Sequence, residues 1–167
     1  MSSEPDPTER KYSLESELHT ESLGSALAAA LEPGSLLILD GNLGAGKTFL
    51  AGAIVHALGL DPDEPVTSPT YNLVSEYPLQ YDVAHADLYR VSSVDEVLDL
   101  GLEERRHRGF VLLVEWGKPY HDALGGDALF VSLITNPRQA LVYASGEGAQ
   151  RILRALPDAL TPTPNAD

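Results

Sequence analysis

The 167-residue chain contains no cysteine, few basic residues and little aromatic side chain, and the first two absences exclude whole classes of site. Without cysteine there is no disulfide, no thiolate metal site and no cysteine nucleophile. A metal would have to be bound by histidine or by oxygen ligands, and oxygen ligands suit hard ions such as Mg²⁺. Only three lysines and a formal net charge of −14 oppose direct binding to RNA or DNA, because that binding depends on Lys and Arg neutralising phosphates.

Long apolar runs are also missing. No run reaches the roughly 18 residues that a membrane-spanning helix needs. The first residues, MSSEPDPTERKY, lack the basic and then apolar order of a secretory signal. These absences predict a cytoplasmic protein that makes no contact with a membrane.

One glycine-rich segment, Gly41–Thr48 (GNLGAGKT), carries the clearest chemistry. It matches the phosphate-binding loop G-x-x-x-x-G-K-S/T, and it follows an apolar run and precedes a helical pattern, as that loop requires. Glycine allows backbone N–H groups to approach phosphate oxygens, and the helix N-terminus adds partial positive charge. Lys47 would contact the β- and γ-phosphates, and the Thr48 hydroxyl would bind Mg²⁺. The residues predicted to surround the nucleotide here are Asn42, Leu43, Gly44, Ala45, Gly46, Lys47, Thr48 and Phe49.

Helical and strand patterns are interleaved along the rest of the chain. Alternation predicts a short strand over residues 12–18, and apolar spacing predicts a helix after Thr20. After HADLYR, Ser93 with Glu96 resembles a capping box for a short helix that runs to Gly101.

Ser35–Asp40 and Phe110–Trp116 each contain at least four successive apolar residues, as expected of parallel strands that are covered on both faces. Residues 129–135 and 140–145 flank a turn and predict an antiparallel hairpin. We therefore expect an α/β fold: a three-layer P-loop NTPase-like sheet, mostly parallel, with the hairpin at one edge.

Composition predicts the domain limits. The chain length fits one domain. Both ends are rich in Pro, Ser, Thr and acidic residues, which predicts disordered tails over residues 1–11 and 157–167. The folded P-loop domain would occupy residues 12–156.

Two acidic residues are candidates for the chemistry beside the loop. Glu115 ends the apolar run FVLLVE, where P-loop proteins place a carboxylate for the metal. Asp87 lies in HADLYR, and strand alternation puts it on the same face as His85. We expect Asp87 to act near the γ-phosphate, through water or the metal shell. The alternatives are a structural His85–Asp87 pair, or an iron site that His107 or His121 completes.

Three further segments each have two possible roles. Val66–Tyr71 (VTSPTY) lies where P-loop proteins often sense the γ-phosphate, although Ser68 followed by proline is by itself only turn chemistry. Trp116 belongs either to the core or beside the nucleotide, because it follows Glu115. Arg105–Arg108 is either a helix end whose cations complement the helix dipole, or a docking patch for an acidic partner or for RNA held by one.

Four segments, GNLGAGKTFLAG, VTSPTYNLVSEY, HADLYR and LLVEW, occur in an order and at separations that resemble the bacterial TsaE (YjeE) family. The resemblance covers about residues 12–156. It implies a small ATPase, with ATP and Mg²⁺ as cofactors, that is required for the threonylcarbamoyl modification of adenosine 37 in tRNAs reading ANN codons. It also implies TsaD and TsaB homologues as partners, regulated by ATP binding and hydrolysis, with tRNA contacted only through them.

The resemblance implies roles for four residues of the catalytic and metal set. Lys47 matches the family's phosphate contact, and Thr48 matches its Mg²⁺ contact. Glu115 matches the acid that helps to hold the metal, and Asp87 matches a residue tied to hydrolysis. The predicted catalytic residues are therefore Lys47, Asp87 and Glu115, and the predicted metal ligands are Thr48 and Glu115.

Other matches concern the surroundings of the nucleotide. Trp116 matches a tryptophan near the nucleotide, and Thr67–Thr70 match a switch-like loop. Arg138 matches a hairpin arginine that reaches the nucleotide, the alternative being an exposed turn residue. Asn42 and Gly117 depart from the residues usual in the family, but neither removes a predicted phosphate or metal ligand.

Three other functions would use the same loop. A small-molecule kinase would pass the γ-phosphoryl group to an acceptor, but such kinases usually carry lid arginines, and Arg105–Arg108 lies in a short connection. A GTPase switch would use Asp122–Gly125 (DALG), which comes late after the buried strand, and the sequence has no Asn-Lys-x-Asp segment. A module that binds nucleotide without hydrolysing it is the third, and kinetics would separate it.

Overall fold

The computed structural model describes residues 7–69 and 71–162. Predictions for residues 1–6, Thr70 and 163–167 concern the two tails and the switch-like loop, and they lie outside the described residues. The strands are β1 Glu9–Ser13, β2 Leu36–Asp40, β3 Val74–Pro78, β4 Asp82–Asp87, β5 Val111–Glu115, β6 Ala128–Ile134 and β7 Gln139–Ala144. The helices are α1 Glu17–Ala30, α2 Lys47–Ala57, α3 Val94–Asp99, α4 Leu102–His107 and α5 Glu147–Ala155, with a 3-10 turn at Lys118–Tyr120.

The strands form one sheet in the order β1-β7-β6-β2-β5-β4-β3. The four central strands, β6, β2, β5 and β4, are mutually parallel, whereas β1, β7 and β3 pair antiparallel with their neighbours. The predicted α/β class, the parallel centre and the β6–β7 hairpin are confirmed. Two details differ: β3 adds an antiparallel edge on the far side, and β1 covers the hairpin.

The central strands are apolar because both of their faces are buried. On β2, Leu37 and Leu39 pack into the core that holds α1, α2 and α5, whereas Leu36 and Ile38 pack into the core that holds α3 and α4. Successive side chains of a strand point to opposite faces, so this division confirms the three layers.

The first strand and helix begin earlier than the patterns predict. β1 begins at Glu9, inside the segment predicted as a tail, because its backbone pairs with β7 from Glu9↔Tyr143 to Ser13↔Gln139. The predicted strand over residues 12–18 is wrong beyond Ser13, since α1 already begins at Glu17.

The short helix expected after HADLYR is present as α3. Ser93 accepts a hydrogen bond from the backbone N–H of Glu96 at 3.2 Å, as a capping box requires. The Glu96 carboxylate, however, accepts from Ser92 and not from Ser93, so the box is only half formed. In the described parts of the chain, no helix has both the length and the apolar character to cross a bilayer.

Candidate active site

The sheet topology brings the predicted site residues together at the carboxyl ends of the parallel strands. β2, β4 and β5 are parallel neighbours, so their carboxyl ends meet, and ligands of α/β sheets bind outside such ends. In the register of the sheet, Glu115 lies opposite Leu39 on one side and opposite Asp87 on the other. The two predicted acids and the glycine loop after β2 are therefore adjacent.

The loop has a backbone shape that two of its glycines make possible. Gly41 has a φ of 147°, and a Cβ there would lie 2.8 Å from the carbonyl oxygen of Leu133. Gly46 has a φ of 105° and is the N-cap of α2. A side chain at either position would be strained. The first N–H groups of α2 have no partner within the helix and carry its positive dipole end, so the loop opens onto a ready anion site.

Lys47 is held inside this loop. Its side chain is only 5% exposed, and Nζ donates to the carbonyl oxygens of Gly41 at 2.5 Å and Asn42 at 3.0 Å. Burial lowers the pKa of Lys47, while the negative charges of Glu115, Asp40 and Asp87 oppose that shift. The ammonium thus donates to neutral carbonyl oxygens. A phosphate oxygen, which is charged, would accept a stronger hydrogen bond from it.

Nζ of Lys47 also lies 4.2 Å from the ring centroid of Trp116, a cation–π contact that the sequence did not predict. The Trp116 ring in turn lies 4.9 Å from the ring of Tyr89. Trp116 packs against the core that holds α3 and α4, and it also borders the loop. Its place beside a bound nucleotide stays a prediction.

A hydroxyl and a carboxylate meet beside Lys47. Thr48 Oγ1 donates to Glu115 at 2.9 Å from Oε1 and 3.1 Å from Oε2, and Glu115 is only 3% exposed. Oxygen ligands of this kind are those that Mg²⁺ prefers. A buried carboxylate next to a hydroxyl, beside a loop with the phosphate-binding pattern, is a donor set that would fit Mg²⁺.

His85 contacts Glu115, which makes the predicted His85–Asp87 pair wrong. His85 is fully buried, and its Nε2 lies 2.6 Å from Glu115 Oε2. Both residues of the predicted pair lie on one face of β4, but positions two apart on a strand are separated by about 6.6 Å. The neighbouring strand offers a closer acceptor.

The predicted iron alternative is also wrong. In residues 7–69 and 71–162, no group of three or more His, Asp or Glu side chains could hold a metal ion. His121 lies 3.0 Å from Asp122 and 2.8 Å from Ser145, and His107 is exposed at the end of α4.

Both carboxylate oxygens of Asp87 accept hydrogen bonds. Ser68 Oγ donates to Oδ2, and the backbone N–H of Tyr89 donates to Oδ1 at 2.9 Å. Ser68 belongs to the segment predicted to sense the γ-phosphate. For Ser68 itself, the sequence indicated only a turn. Its contact joins that segment to β4 at the edge of the site.

These residues surround one cavity of about 340 Å³, a size within the usual range for ligand sites. Its walls are Leu43, Gly44, Ala45, Gly46, Lys47, Thr48, Phe49, Ser68, Asp87, Glu115 and Trp116. Two of the predicted nucleotide residues lie outside its walls. Asn42 contributes the carbonyl that binds Lys47, and Arg138 lines a neighbouring cavity of about 160 Å³ with Ala45, Gly46 and Phe49.

The basic run after α3 has a structural role. Arg105 and Arg106 lie in the last turn of α4, as the helix-end interpretation predicts. Arg105 binds Glu76 at 2.6 Å. The Arg106 guanidinium donates to four backbone carbonyls, those of Gly34, Leu124, Gly126 and Asp127. These bonds leave little of Arg106 to contact a partner.

Comparison with known proteins identifies relatives of this arrangement. Residues 14–140 match the family model "Threonylcarbamoyl adenosine biosynthesis protein TsaE". The chain is 33% identical over 141 residues to "tRNA threonylcarbamoyladenosine biosynthesis protein TsaE" of Rickettsia conorii, which covers 77% of this chain and 79% of that protein. It is 37% identical over 115 residues to the protein of that name from Bacillus subtilis, covering 66% and 68%. The crystal structure of Bacillus subtilis YdiB superposes with a TM-score of 0.68 at 25% identity, covering 86% of this chain and 90% of that one.

Proposed function

This chain belongs to the TsaE family, and we propose that it is a Mg²⁺-dependent ATPase that supports formation of N6-threonylcarbamoyladenosine at position 37 of tRNAs reading ANN codons. In this proposal, ATP binding and hydrolysis regulate a complex of TsaD and TsaB homologues. The observation that carries it is the buried Lys47 ammonium beside the Thr48–Glu115 pair, all facing one cavity.

Each side chain has a separate task in hydrolysis. Lys47 neutralises charge on the phosphates, and the first N–H groups of α2 bind phosphate oxygens. Thr48 and Glu115 would hold Mg²⁺, and the bound ion would supply positive charge beside the phosphates. Asp87 orients the water whose oxygen forms the new bond to the γ-phosphorus as the bond to the β-phosphate oxygen breaks, giving ADP and inorganic phosphate.

The charge of the chain supports an indirect contact with tRNA. With a net charge of −14, its own surface repels a polyanion, and Arg106 is bound to carbonyls within the fold. The proposal therefore assigns tRNA binding to the partners and nucleotide binding to this chain.

Three measurements test the proposal. Calorimetric titration of the purified chain should show uptake of ATP or ADP, and hydrolysis should be slow for the chain alone and faster when the TsaD and TsaB homologues are added. Co-purification from cells with nucleotide present should recover those two homologues. No uptake of ATP or ADP, either alone or with the partners, would refute the proposal. Recovery of neither homologue, together with phosphorylation of a metabolite, would indicate a kinase.

A further inference from the structure

The mechanism above gives no task to His85, a buried polar side chain that contacts the site. His85 has no exposed surface, and its Nε2 lies 2.6 Å from Oε2 of Glu115. Within the described residues, its other ring nitrogen, Nδ1, has no hydrogen-bond partner. A buried polar group with an unused nitrogen is unfavourable for folding, so its single contact needs an explanation.

The chemistry of that contact determines which nitrogen carries the proton. An ionised carboxylate only accepts hydrogen bonds, so Nε2 must be the donor. In the neutral tautomer Nδ1 then carries a lone pair and no proton, which avoids a buried N–H without an acceptor. His85 is therefore a single donor directed at one oxygen of Glu115.

Among the described residues, Glu115 has one other side-chain hydrogen-bond partner, and that partner belongs to the proposed metal set. Thr48 contacts both carboxylate oxygens, at 2.9 and 3.1 Å. A metal held by Thr48 and Glu115 would compete with this hydrogen bond for the oxygens of Glu115. The bond from His85 comes from β4, the strand that pairs with β5, whereas Thr48 belongs to α2, so the two contacts come from different elements.

We propose that His85 is a positioning residue, which holds the Glu115 carboxylate in the orientation that Mg²⁺ binding requires. The inference rests on the proposed function, in which Thr48 and Glu115 hold the metal. Side chains that orient a metal ligand commonly change metal affinity by about 10- to 100-fold when they are replaced.

Three substitutions at this position separate the donor from the packing. His85→Leu keeps a similar volume and removes the donor. His85→Gln places an amide N–H near the position of Nε2, whereas His85→Asn places one near Nδ1, too short to reach Glu115. His107→Leu, at an exposed site on α4, is the matched control.

The test measures metal binding apart from turnover. Mn²⁺, as a probe for Mg²⁺, is titrated into each full-length variant with ADP and followed by electron paramagnetic resonance. ADP affinity is measured separately in EDTA, and thermal unfolding is measured without ligand. His85→Leu and His85→Asn should weaken Mn²⁺ binding by about 10- to 100-fold. His85→Gln and His107→Leu should stay close to wild type, and ADP affinity in EDTA should be unchanged in all four.

Two results would overturn the inference. One is wild-type Mn²⁺ affinity in His85→Leu, or, if that variant does not fold, equal affinity in His85→Gln and His85→Asn. The other is an equal loss of Mn²⁺ binding, metal-free ADP binding and melting temperature, which would indicate general packing. If the wild-type chain binds neither ADP nor Mn²⁺, the proposed function itself fails, and the inference fails with it.

Discussion

Replacing Lys47 with methionine should abolish most nucleotide affinity while leaving the fold nearly as stable as before. Methionine keeps the length and most of the apolar stem of lysine, so the change removes little besides the ammonium. In the structure Lys47 is only 5% exposed, and the hydrogen-bond partners of its ammonium are the carbonyls of Gly41 and Asn42.

The magnitudes follow from these contacts. Each lost hydrogen bond contributes about 0.5–1.5 kcal/mol to stability, but Asn42 is exposed and Gly41 partly so, and water can replace the donor. Removing a buried charge opposes that loss. The free energy of unfolding should therefore change by no more than about 1 kcal/mol. A hydrogen bond from an ammonium to a phosphate is worth about 1.5–3 kcal/mol, so ATP affinity should fall by about 10- to 150-fold.

The pH dependence has a definite sign. Burial lowers the pKa of Lys47, so the unfolded chain binds this proton more tightly than the folded chain does. The resulting cost to stability is complete below the folded-state pKa, and it disappears as the pH rises towards the ordinary lysine value of 10.5. Any advantage of Lys47→Met in melting temperature over wild type should accordingly shrink as the pH is raised from about 7 to about 10.

The assay needs calorimetric titration with ATP and with ADP, and chemical denaturation across that pH range. Lys11→Met is the matched control, because the Lys11 side chain is 68% exposed and lies on β1. Unchanged ATP affinity in Lys47→Met would refute the role of the ammonium in phosphate binding. A large loss of stability would show instead that Lys47 is a structural residue of the loop.

Three further predictions concern single side chains. Glu115→Gln should leave ADP affinity in EDTA intact but weaken the Mg²⁺-dependent part of ATP binding, and equal calorimetric titrations with and without Mg²⁺ would contradict this. Trp116 is the only tryptophan, so its fluorescence should change when ATP or ADP binds, and a constant signal at saturation would place the ring outside the reach of the nucleotide. Arg106→Leu should lower the free energy of unfolding by about 2–4 kcal/mol in urea, because four carbonyls lose their donor, without changing ATP affinity.

The loop and the strand before it could be predicted because their signals are local. Gly41 and Gly46 adopt backbone angles that depend on the residue itself, and the lysine and threonine that follow complete a pattern with one known geometry. β2 was recognisable because a strand buried on both faces must be apolar at every position. Glu115 was placed correctly at the end of a neighbouring parallel strand for the same reason.

The contacts between segments could not be predicted in this way. Alternation along β4 shows that His85 and Asp87 share a face, but it does not show that β5 is the neighbour that supplies Glu115. The bond from Ser68 to Asp87 joins an irregular segment to a strand, and such segments have no period to read. Glu9–Lys11, the first three residues of β1, were taken for a tail because an edge strand with one covered face has the polar composition of one.

The buried polar groups of the site lower the stability of the fold. Lys47, Glu115 and His85 are all almost completely buried at the end of an otherwise apolar sheet, where leucine or valine would pack at less cost. The pKa of Lys47 is lowered because burial outweighs the attraction of the nearby carboxylates, so that attraction does not by itself account for the lysine. These three groups disfavour folding of the isolated chain, and they lie beside a loop shaped for anions. Their presence is explained if a phosphate supplies the negative charge beside Lys47 and Mg²⁺ supplies the positive charge beside Glu115. The same reasoning requires the fold to gain stability when both ligands bind together, and to gain less from either one alone.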